Sequence, residues 1–229
     1  MTELEYQALT LSLKVSFYTI LWLIPLGLGL AWLLSRTQFV GKSIIDSLVH
    51  LPLVLPPVVI GYLLLITLGK NGFLGHWLYQ QFGLVFSFNW KGAVVACMVV
   101  ALPLMVRSIR LSLDSVDSKL EYAAATLGAS PIKVFFTITL PLTIPGIVTG
   151  TMLAFARSLG EFGATISFVS NIPGETQTIP LAMYNFIETP GAEIEAARLC
   201  LISIALALSS LMVSEWLSRK AMRRLGEIK

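Results

Sequence analysis

The sequence has few charged residues. Only 13% of its 229 residues are Asp, Glu, Lys or Arg, 55% are hydrophobic, and the mean hydropathy is +0.79. Water-soluble domains typically carry about 25% charged residues. The composition therefore predicts an all-α integral membrane protein that contacts membrane lipid. The net charge of +3 is too small and too scattered to indicate a nucleic-acid-binding protein.

Cysteine and histidine are also scarce, with two residues of each. Cys97 and Cys200 lie inside apolar runs, where a free thiol packs as a small hydrophobic group. His50 and His76 are far apart in the sequence, and they show no ligand spacing with each other or with the cysteines. The sequence therefore predicts neither a metal site nor a cofactor.

Motifs for ATP hydrolysis and for nucleophilic catalysis are missing. A phosphate-binding loop requires the pattern G-x-x-x-x-G-K-[ST]. The stretch "RTQFVGKS" ends in Gly41, Lys42 and Ser43, but Arg36 stands where the first glycine belongs, and the stretch joins two apolar runs. No G-x-S-x-G pattern is present either. We therefore expect no enzyme activity from this chain, so any ATP hydrolysis must come from a partner protein.

Long apolar runs, by contrast, are abundant. Because a bilayer core requires about 20 apolar residues of helix, five runs qualify as membrane spans. These predicted spans cover residues 15–34, 48–68, 90–106, 142–169 and 199–216. They predict a single transmembrane domain over residues 1–229, with a polar loop at 107–141.

Lysine and arginine are distributed unevenly about these spans. Eleven of the sixteen fall on the side that carries the 107–141 loop and the C terminus, and five fall on or toward the other side. By the positive-inside rule, this asymmetry predicts that the loop and the C terminus are cytoplasmic and that the N terminus is outside the cell membrane.

The second predicted span contains three prolines within six residues, at Pro52, Pro56 and Pro57. Each proline removes a backbone donor and restricts the residue before it, so this segment cannot be a continuous regular helix. Such a break is tolerated where protein or a water-filled cavity satisfies the backbone. The break indicates either a segment beside a transport pathway or a kink that only aids packing.

Arg157 and Glu161 lie within the fourth predicted span. They are four residues apart, so on a continuous helix they share a face. Charges at membrane depth normally face a bundle interior or an aqueous cavity and pair there. Two hypotheses remain open at this point, a position along a transport pathway or a salt bridge that fixes two packed segments. Gly160 and Gly163 allow the helix to break here, and the following "NIPGETQTIP" predicts an outward-facing loop.

The 107–141 loop contains signals for a short helix. Ser118 and Glu121 have the spacing of a capping box, which predicts a helix that begins at about Lys119. Gly128 stands where a residue with positive φ would end this helix.

A second helix and an apolar face are predicted in the same loop. Ser130 and Pro131 supply an N-cap and a proline at the first helical position. One face of the first helix carries Leu120, Ala124 and Leu127 at helical spacing. This face suits a groove on a partner protein, or alternatively a lipid surface or the protein's own spans.

The stretch "EYAAATLGASPIKVFFTITLP" resembles the cytoplasmic EAA loop of bacterial ABC-importer permeases. That loop has the pattern E-A-A, three residues, G, nine residues, I-x-L-P. The matching residues are Ala123, Ala124, Gly128, Ile138, Leu140 and Pro141. The sequence departs from the pattern at Tyr122, which occupies the acidic position, while Glu121 lies one residue earlier.

The resemblance implies a role for this loop. In that family, the loop helix docks in a cleft of a cytoplasmic ATPase and passes its movement to the spans. The residues that would couple this chain to an ATPase are Leu120, Glu121, Tyr122, Ala123, Ala124, Leu127 and Gly128.

Three further stretches resemble the permease subunits of molybdate ABC importers. They are "ARSLGEFGATISFVSNIPGETQTIP", "SLVHLPLVLPPVVIGYLLL" and "GASPIKVFFTITLPLT". Sulfate permeases share the L-G-E-F-G core and the N-I-P-G turn, and tungstate is usually handled by the same machinery, so sulfate and tungstate remain alternative substrates. A self-sufficient channel or secondary transporter is a further alternative, but it would predict inverted repeats that the sequence does not show.

This second resemblance implies the fold and the partners. The fold would be the type I, MetI-like fold of ABC-importer permeases in the bacterial inner membrane. The partners would be a second copy of this chain, two ATPase subunits and a periplasmic molybdate-binding protein. Because Arg157 and Glu161 lie within the fourth predicted span, we also predict a pathway or gate that contains Arg157, Ser158, Glu161 and Thr165.

Overall fold

A computed structural model of the chain describes residues 1–224, which form helices and connecting loops without any strand. The helices are α1 (Glu3–Arg36), α2 (Lys42–His50), α3 (Pro57–Leu68), α4 (Phe73–Phe82), α5 (Trp90–Ser115), α6 (Ser118–Thr126), α7 (Pro131–Val134), α8 (Leu140–Leu159), α9 (Gly163–Val169), α10 (Ile179–Glu188) and α11 (Glu193–Arg224). A 3₁₀ turn at Leu51–Leu53 follows α2, and a π-helical segment at Phe135–Thr139 joins α7 to α8. The predicted all-α class is confirmed.

Four helical stretches among the described residues are long and apolar enough to cross a membrane. They are Glu3–Arg36, Trp90–Ser115, Pro131–Leu159 and Glu193–Leu217. A fifth span results if Lys42–Leu53 and Pro57–Leu68, which meet at an angle of 115°, are counted as one broken span. The structure thus agrees with the predicted number of spans.

The break in the second span lies at the prolines. The chain forms a 3₁₀ turn over Leu51–Leu53, and Pro56 then has an extended ψ of 133° immediately before α3 begins at Pro57. The prediction that this segment is not a continuous helix is therefore confirmed.

The fourth span differs from its predicted bounds of 142–169. The helical stretch begins at Pro131 and ends at Leu159, and a separate helix, α9, starts at Gly163. Hydropathy alone does not detect this end, because α8 and α9 are both predominantly apolar. The break lies at residues 160–162, next to the contacts of Glu161 that are described below.

Helix α5 lies at the centre of the bundle and packs against α1 and α8. About 61% of its most apolar window is buried, compared with 28% or less in the other three candidate spans. Two glycines of α8 allow close packing on α5: a Cβ added at Gly146 would lie 2.3 Å from the Ser112 Cβ, and one added at Gly150 would lie 3.0 Å from the Met105 sulfur. Because the other three candidate spans are mostly unburied, they present apolar faces outward, as membrane helices do.

Candidate functional site: the loop helix and the α8–α9 break

Helix α6 is held at its start by Asp117. The Asp117 side chain accepts a hydrogen bond from the Lys119 backbone N–H at 2.9 Å, and Ser118 is already the first helical residue. The predicted capping box of Ser118 and Glu121 is therefore wrong, although the helix begins close to the predicted position. Asp117 takes the cap because α5 ends at Ser115 and the extended Val116 directly precedes Asp117. An aspartate caps a helix as well as a serine does.

Gly128 ends α6 as predicted, with a φ of +86°. The Ala129 N–H bonds back to the Ala124 carbonyl at 3.1 Å, and the Gly128 N–H bonds to the Ala125 carbonyl at 3.0 Å. These two bonds satisfy carbonyl groups at the helix end. An added Cβ at Gly128 would meet no atom within 4 Å, so only the backbone conformation requires glycine here.

The start of α7 also agrees with the sequence. Ser130 accepts a hydrogen bond from the Lys133 N–H at 3.4 Å, and Pro131 is the first helical residue. The loop is therefore a helix, a glycine turn and a second helix, as predicted.

Apolar side chains on two sides of α6 are exposed. Leu127 is 88% exposed, Tyr122 is 71% exposed and Leu120 is 49% exposed. Ala123 is exposed and Ala124 is half-buried. The high exposure of Leu127 excludes packing of this side chain against the chain's own spans, which leaves a partner protein or a lipid surface as its contact. An apolar face on an exposed helix can enter a groove of a partner protein.

Glu121 points away from this exposed face and joins two other elements. Its Oε1 atom lies 3.1 Å from Nη2 of Arg36, at the end of α1, and accepts a hydrogen bond from the Thr139 hydroxyl at 2.6 Å. Sequence reasoning missed Arg36 and Thr139, since both are distant from Glu121 in the chain. One sequence signal was available. Arg36 follows the first predicted span, and Glu121 is the single acidic residue of the predicted loop helix.

The candidate pathway residues meet at the break between α8 and α9. Arg157 Nη1 lies 2.6 Å from Glu161 Oε2, and the Glu161 carboxylate is buried while the arginine is about one-third exposed. Glu161 Oε1 also accepts a hydrogen bond from the Ala164 N–H at 2.7 Å. Glu161 therefore pairs with the last turn of α8 and with the first turn of α9.

The other two candidate pathway residues, Ser158 and Thr165, lie on either side of the same break. Ser158 is buried, and its carbonyl lies 3.8 Å from the Cys97 sulfur on α5. Thr165 is buried as well, and its hydroxyl donates to the Phe162 carbonyl at 2.8 Å. The structure thus gathers all four predicted residues in one place and shows the salt bridge that one sequence hypothesis required.

The two broken segments pack against each other, a contact that the sequence did not indicate. A Cβ added at Gly61 of α3 would lie 2.5 Å from the Ala164 carbonyl oxygen, and one added at Gly163 of α9 would lie 2.9 Å from the Pro57 Cβ. Each glycine therefore allows the backbone of one short helix to approach the other. The proline break and the glycine break form one structural unit.

The segment after α9 is only partly an exposed loop. Residues 172–175 are exposed, but Thr176, Gln177 and Thr178 are buried. The Ile179 N–H donates to the Ser12 hydroxyl of α1 at 2.7 Å, which attaches the loop to the first span. Among residues 1–224, no group of three or more His, Cys, Asp or Glu side chains is arranged to hold a metal ion.

Comparisons with known proteins agree with this geometry. Residues 23–223 match the family model of the binding-protein-dependent transport system inner membrane component. The chain is 63% identical over 224 residues to the molybdenum transport system permease protein ModB of Haemophilus influenzae, covering 98% of both chains. It is also 63% identical over 226 residues to the ModB protein of Escherichia coli K12, covering 99% of both.

A solved structure with a similar fold is a bacterial ABC transporter involved in the import of the acidic polysaccharide alginate. The TM-score is 0.76 at 18% sequence identity, and the match covers 96% of this chain and 80% of that one. At this identity the likeness concerns the fold alone, and it confirms the predicted ABC-importer permease fold of the type I, MetI-like class. By its sequence over residues 23–223 and by its helical architecture, the chain belongs to the family of inner membrane components of binding-protein-dependent transport systems.

Proposed function

We propose that this chain is the membrane-spanning permease subunit of an ATP-driven importer that carries molybdate across the bacterial inner membrane. The observation that carries this proposal is the 63% identity, along nearly the full length of both chains, to permeases named for molybdenum transport. The exposed loop helix supports the ATP-driven mechanism, because it offers a partner an apolar docking face.

The loop helix α6 serves as the coupling helix in this proposal. Leu120 and Leu127, exposed on one face of the helix, enter a groove on a cytoplasmic ATPase, and Tyr122 contacts the ATPase from the other side of the helix. The glycine turn at Gly128 sets the angle of the helix. Ala123 and Ala124 are small enough to allow close approach of the two proteins. The docking requires the loop and the C terminus to be cytoplasmic and the N terminus to be periplasmic, in agreement with the positive-inside rule.

The chain needs partners for both energy and substrate. Gly41 is the N-cap of α2, and Lys42 and Ser43 are its first two residues. This stretch joins two helices, whereas a phosphate-binding loop joins a strand to a helix. Two ATPase subunits therefore supply the energy. A second copy of this chain completes the membrane part, and a periplasmic molybdate-binding protein delivers the anion.

The unit formed by α3, α9 and the break before α9 lines the pathway. Irregular backbone at membrane depth is tolerated where it lines a cavity or is buried in protein. Arg157 is the partly exposed cation of this unit, whereas Ser158, Glu161 and Thr165 are buried at the break. We assign Arg157 to the passage of the oxyanion and the other three to the gate that surrounds it.

The test is anion uptake by proteoliposomes that contain this chain with its partner ATPase and the periplasmic binding protein. We expect uptake of radioactive molybdate that requires ATP inside the vesicle, and competition by tungstate. Uptake without ATP would instead support a channel or a secondary transporter. Preferential uptake of sulfate would assign the chain to the sulfate importers, whose shared L-G-E-F-G core makes sulfate the second candidate.

Reporter fusions test the orientation. An enzyme that is active only in the periplasm should be silent when it is fused to the C terminus and active when it is inserted after Gly72, between α3 and α4. Strong activity at the C terminus would overturn the proposed orientation.

A further inference from the structure

The end of the first span is attached to the loop helix by one side chain. Arg36 is the last residue of α1, and its Nη2 atom donates to Glu121 Oε1 at 3.1 Å and to the Leu113 carbonyl at 3.2 Å. Leu113 belongs to the last turn of α5. A single guanidinium group therefore joins α1, α5 and α6.

Thr139 also donates a hydrogen bond to the Glu121 carboxylate, from a different element of the fold. It is the last residue of the π-helical segment that leads into α8, it is buried, and its hydroxyl donates to Glu121 Oε1 at 2.6 Å. A π-helical turn contains an extra residue, so it rotates the residues at its end relative to a regular α-helix, and such turns are frequent at functional sites. Glu121 is consequently bound by the start of the α8 span as well as by the end of α1. We call Arg36, Glu121 and Thr139 the Glu121 cluster.

These contacts matter because α6 has few other attachments. None of its residues is buried, and Leu120, Tyr122 and Leu127 are exposed, with Tyr122 on the other side of the helix from Leu120 and Leu127. Arg36 and Glu121 are each only about a quarter exposed, so water and salt screen this ion pair less than an exposed one. Among the described residues, the cluster is therefore a side-chain connection that links α6 directly to the ends of the spans.

We infer that Arg36 is a positioning residue that keeps α6 rigidly joined to α1, α5 and α8 through Glu121, so that movement of α6 is passed to the spans. This inference rests on the proposed function, because it requires that an ATPase moves α6. It assigns Glu121 to a contact within this chain, whereas the exposed side chains of α6 contact the partner. It also adds Arg36 and Thr139 to the coupling machinery.

The experiment measures how many molybdate ions enter the vesicle for each ATP hydrolysed, in reconstituted complexes of the full chain, its ATPase and the binding protein. Arg36→Ala should still copurify with the ATPase, because the docking face is unchanged. Uptake per ATP should fall by about fivefold or more, which is the lower end of typical coupling effects. The exchange of both charges, Arg36→Glu with Glu121→Arg, should restore part of the loss.

Thr139→Val supplies a milder variant with a matched control. It removes the hydroxyl but keeps the shape, so uptake per ATP should fall less than in Arg36→Ala. The control is Thr137→Val, in the same π-helical segment, since the exposed Thr137 hydroxyl donates to the Lys133 carbonyl four residues earlier and not to Glu121. The control should behave like the wild type.

The outcomes separate this inference from the proposed function. Failure of the wild-type chain to copurify with the ATPase would overturn the proposed function itself. If the wild type assembles and transports, wild-type uptake per ATP in both Arg36→Ala and Thr139→Val would overturn the Glu121 cluster alone. Loss of the ATPase from Arg36→Ala without any recovery in the charge exchange would also overturn it, because the arginine would then contact the partner.

Discussion

Two acidic residues of this permease pair with arginine in different ways. Glu161 pairs with Arg157 four residues away on the same helix end, and its carboxylate is buried. Glu121 pairs with Arg36 across 85 positions of sequence, and both side chains are partly exposed. The first pair fixes a local break in one span, whereas the second joins separate elements. An ion pair between residues four positions apart stabilises the local backbone geometry. An ion pair between distant helices can transmit the movement of one helix to the other.

The largest expected effect concerns the buried pair. Arg157→Ala leaves the buried Glu161 carboxylate without its cation, and loss of one partner of a buried pair costs about 3–5 kcal/mol. We expect a strong loss of uptake, measured in proteoliposomes. Glu161→Ala should be milder in stability, because the arginine left behind is already partly exposed.

The matched control for this pair is the exchange of both charges, Arg157→Glu with Glu161→Arg. It should recover part of the uptake that each single substitution loses, since the ion pair can form again. Full transport by both single alanine variants would show that the pair has no role in transport, and the contrast between the two pairs would then disappear.

A smaller loss of local stability is expected at the glycine turn of the loop. Gly128→Val places a branched side chain at a φ of +86°, which costs at least about 1 kcal/mol. The spans should still insert, because their hydrophobicity is unchanged. The exposed face of α6 would meet the ATPase at the wrong angle, so we expect normal membrane levels, weakened copurification of the ATPase and lost uptake.

Gly83→Val is a control for backbone strain. Gly83 also has a positive φ, of 64°, and an added Cβ there would meet no atom within 4 Å, but the residue lies at the end of α4, far from the loop in sequence. The Gly83→Val variant should still copurify with the ATPase and should transport molybdate at the wild-type rate. Equal loss of transport in both variants would mean that strain, and not the angle of the loop helix, is responsible.

The smallest expected effect tests which residue caps α6. Asp117→Ala should destabilise the helix start by about 1 kcal/mol, whereas Ser118→Ala should have little effect, since Asp117 makes the cap contact. Hydrogen exchange of the α6 backbone in the purified complex measures the difference. Faster exchange in Ser118→Ala than in Asp117→Ala would restore the capping box that the sequence suggested.

The loop shows where sequence reasoning succeeds and where it stops. Gly128, Ser130 and Pro131 were predicted correctly because turn and cap geometry involve only neighbouring residues. The cap at the start of α6 was assigned to Ser118 and not to Asp117 because both residue types can cap, and the choice depends on where α5 ends. The exposure of Leu127 could be hypothesised but not established, since an apolar helix face can also pack internally.

The break before α9 shows the same limit at membrane depth. The spacing of Arg157 and Glu161 was enough to propose their salt bridge, and the glycines were enough to propose a break. The predicted span nevertheless continued to residue 169, because hydropathy does not distinguish one apolar helix from two. The contact of Gly61 with Ala164 involves residues about 100 positions apart, and no local pattern indicates it.

The sequence by itself determined the membrane class, the number of apolar spans, the helix–glycine–helix loop and the likeness to importer permeases. These properties depend on composition, on periodicity and on contacts between residues a few positions apart. Only the tertiary structure decided that Glu121 binds Arg36 and Thr139, that α3 packs on α9 and that the face of α6 stays exposed. Such contacts form when distant helices are packed side by side, and their geometry depends on the whole bundle because no single segment contains the information to specify them.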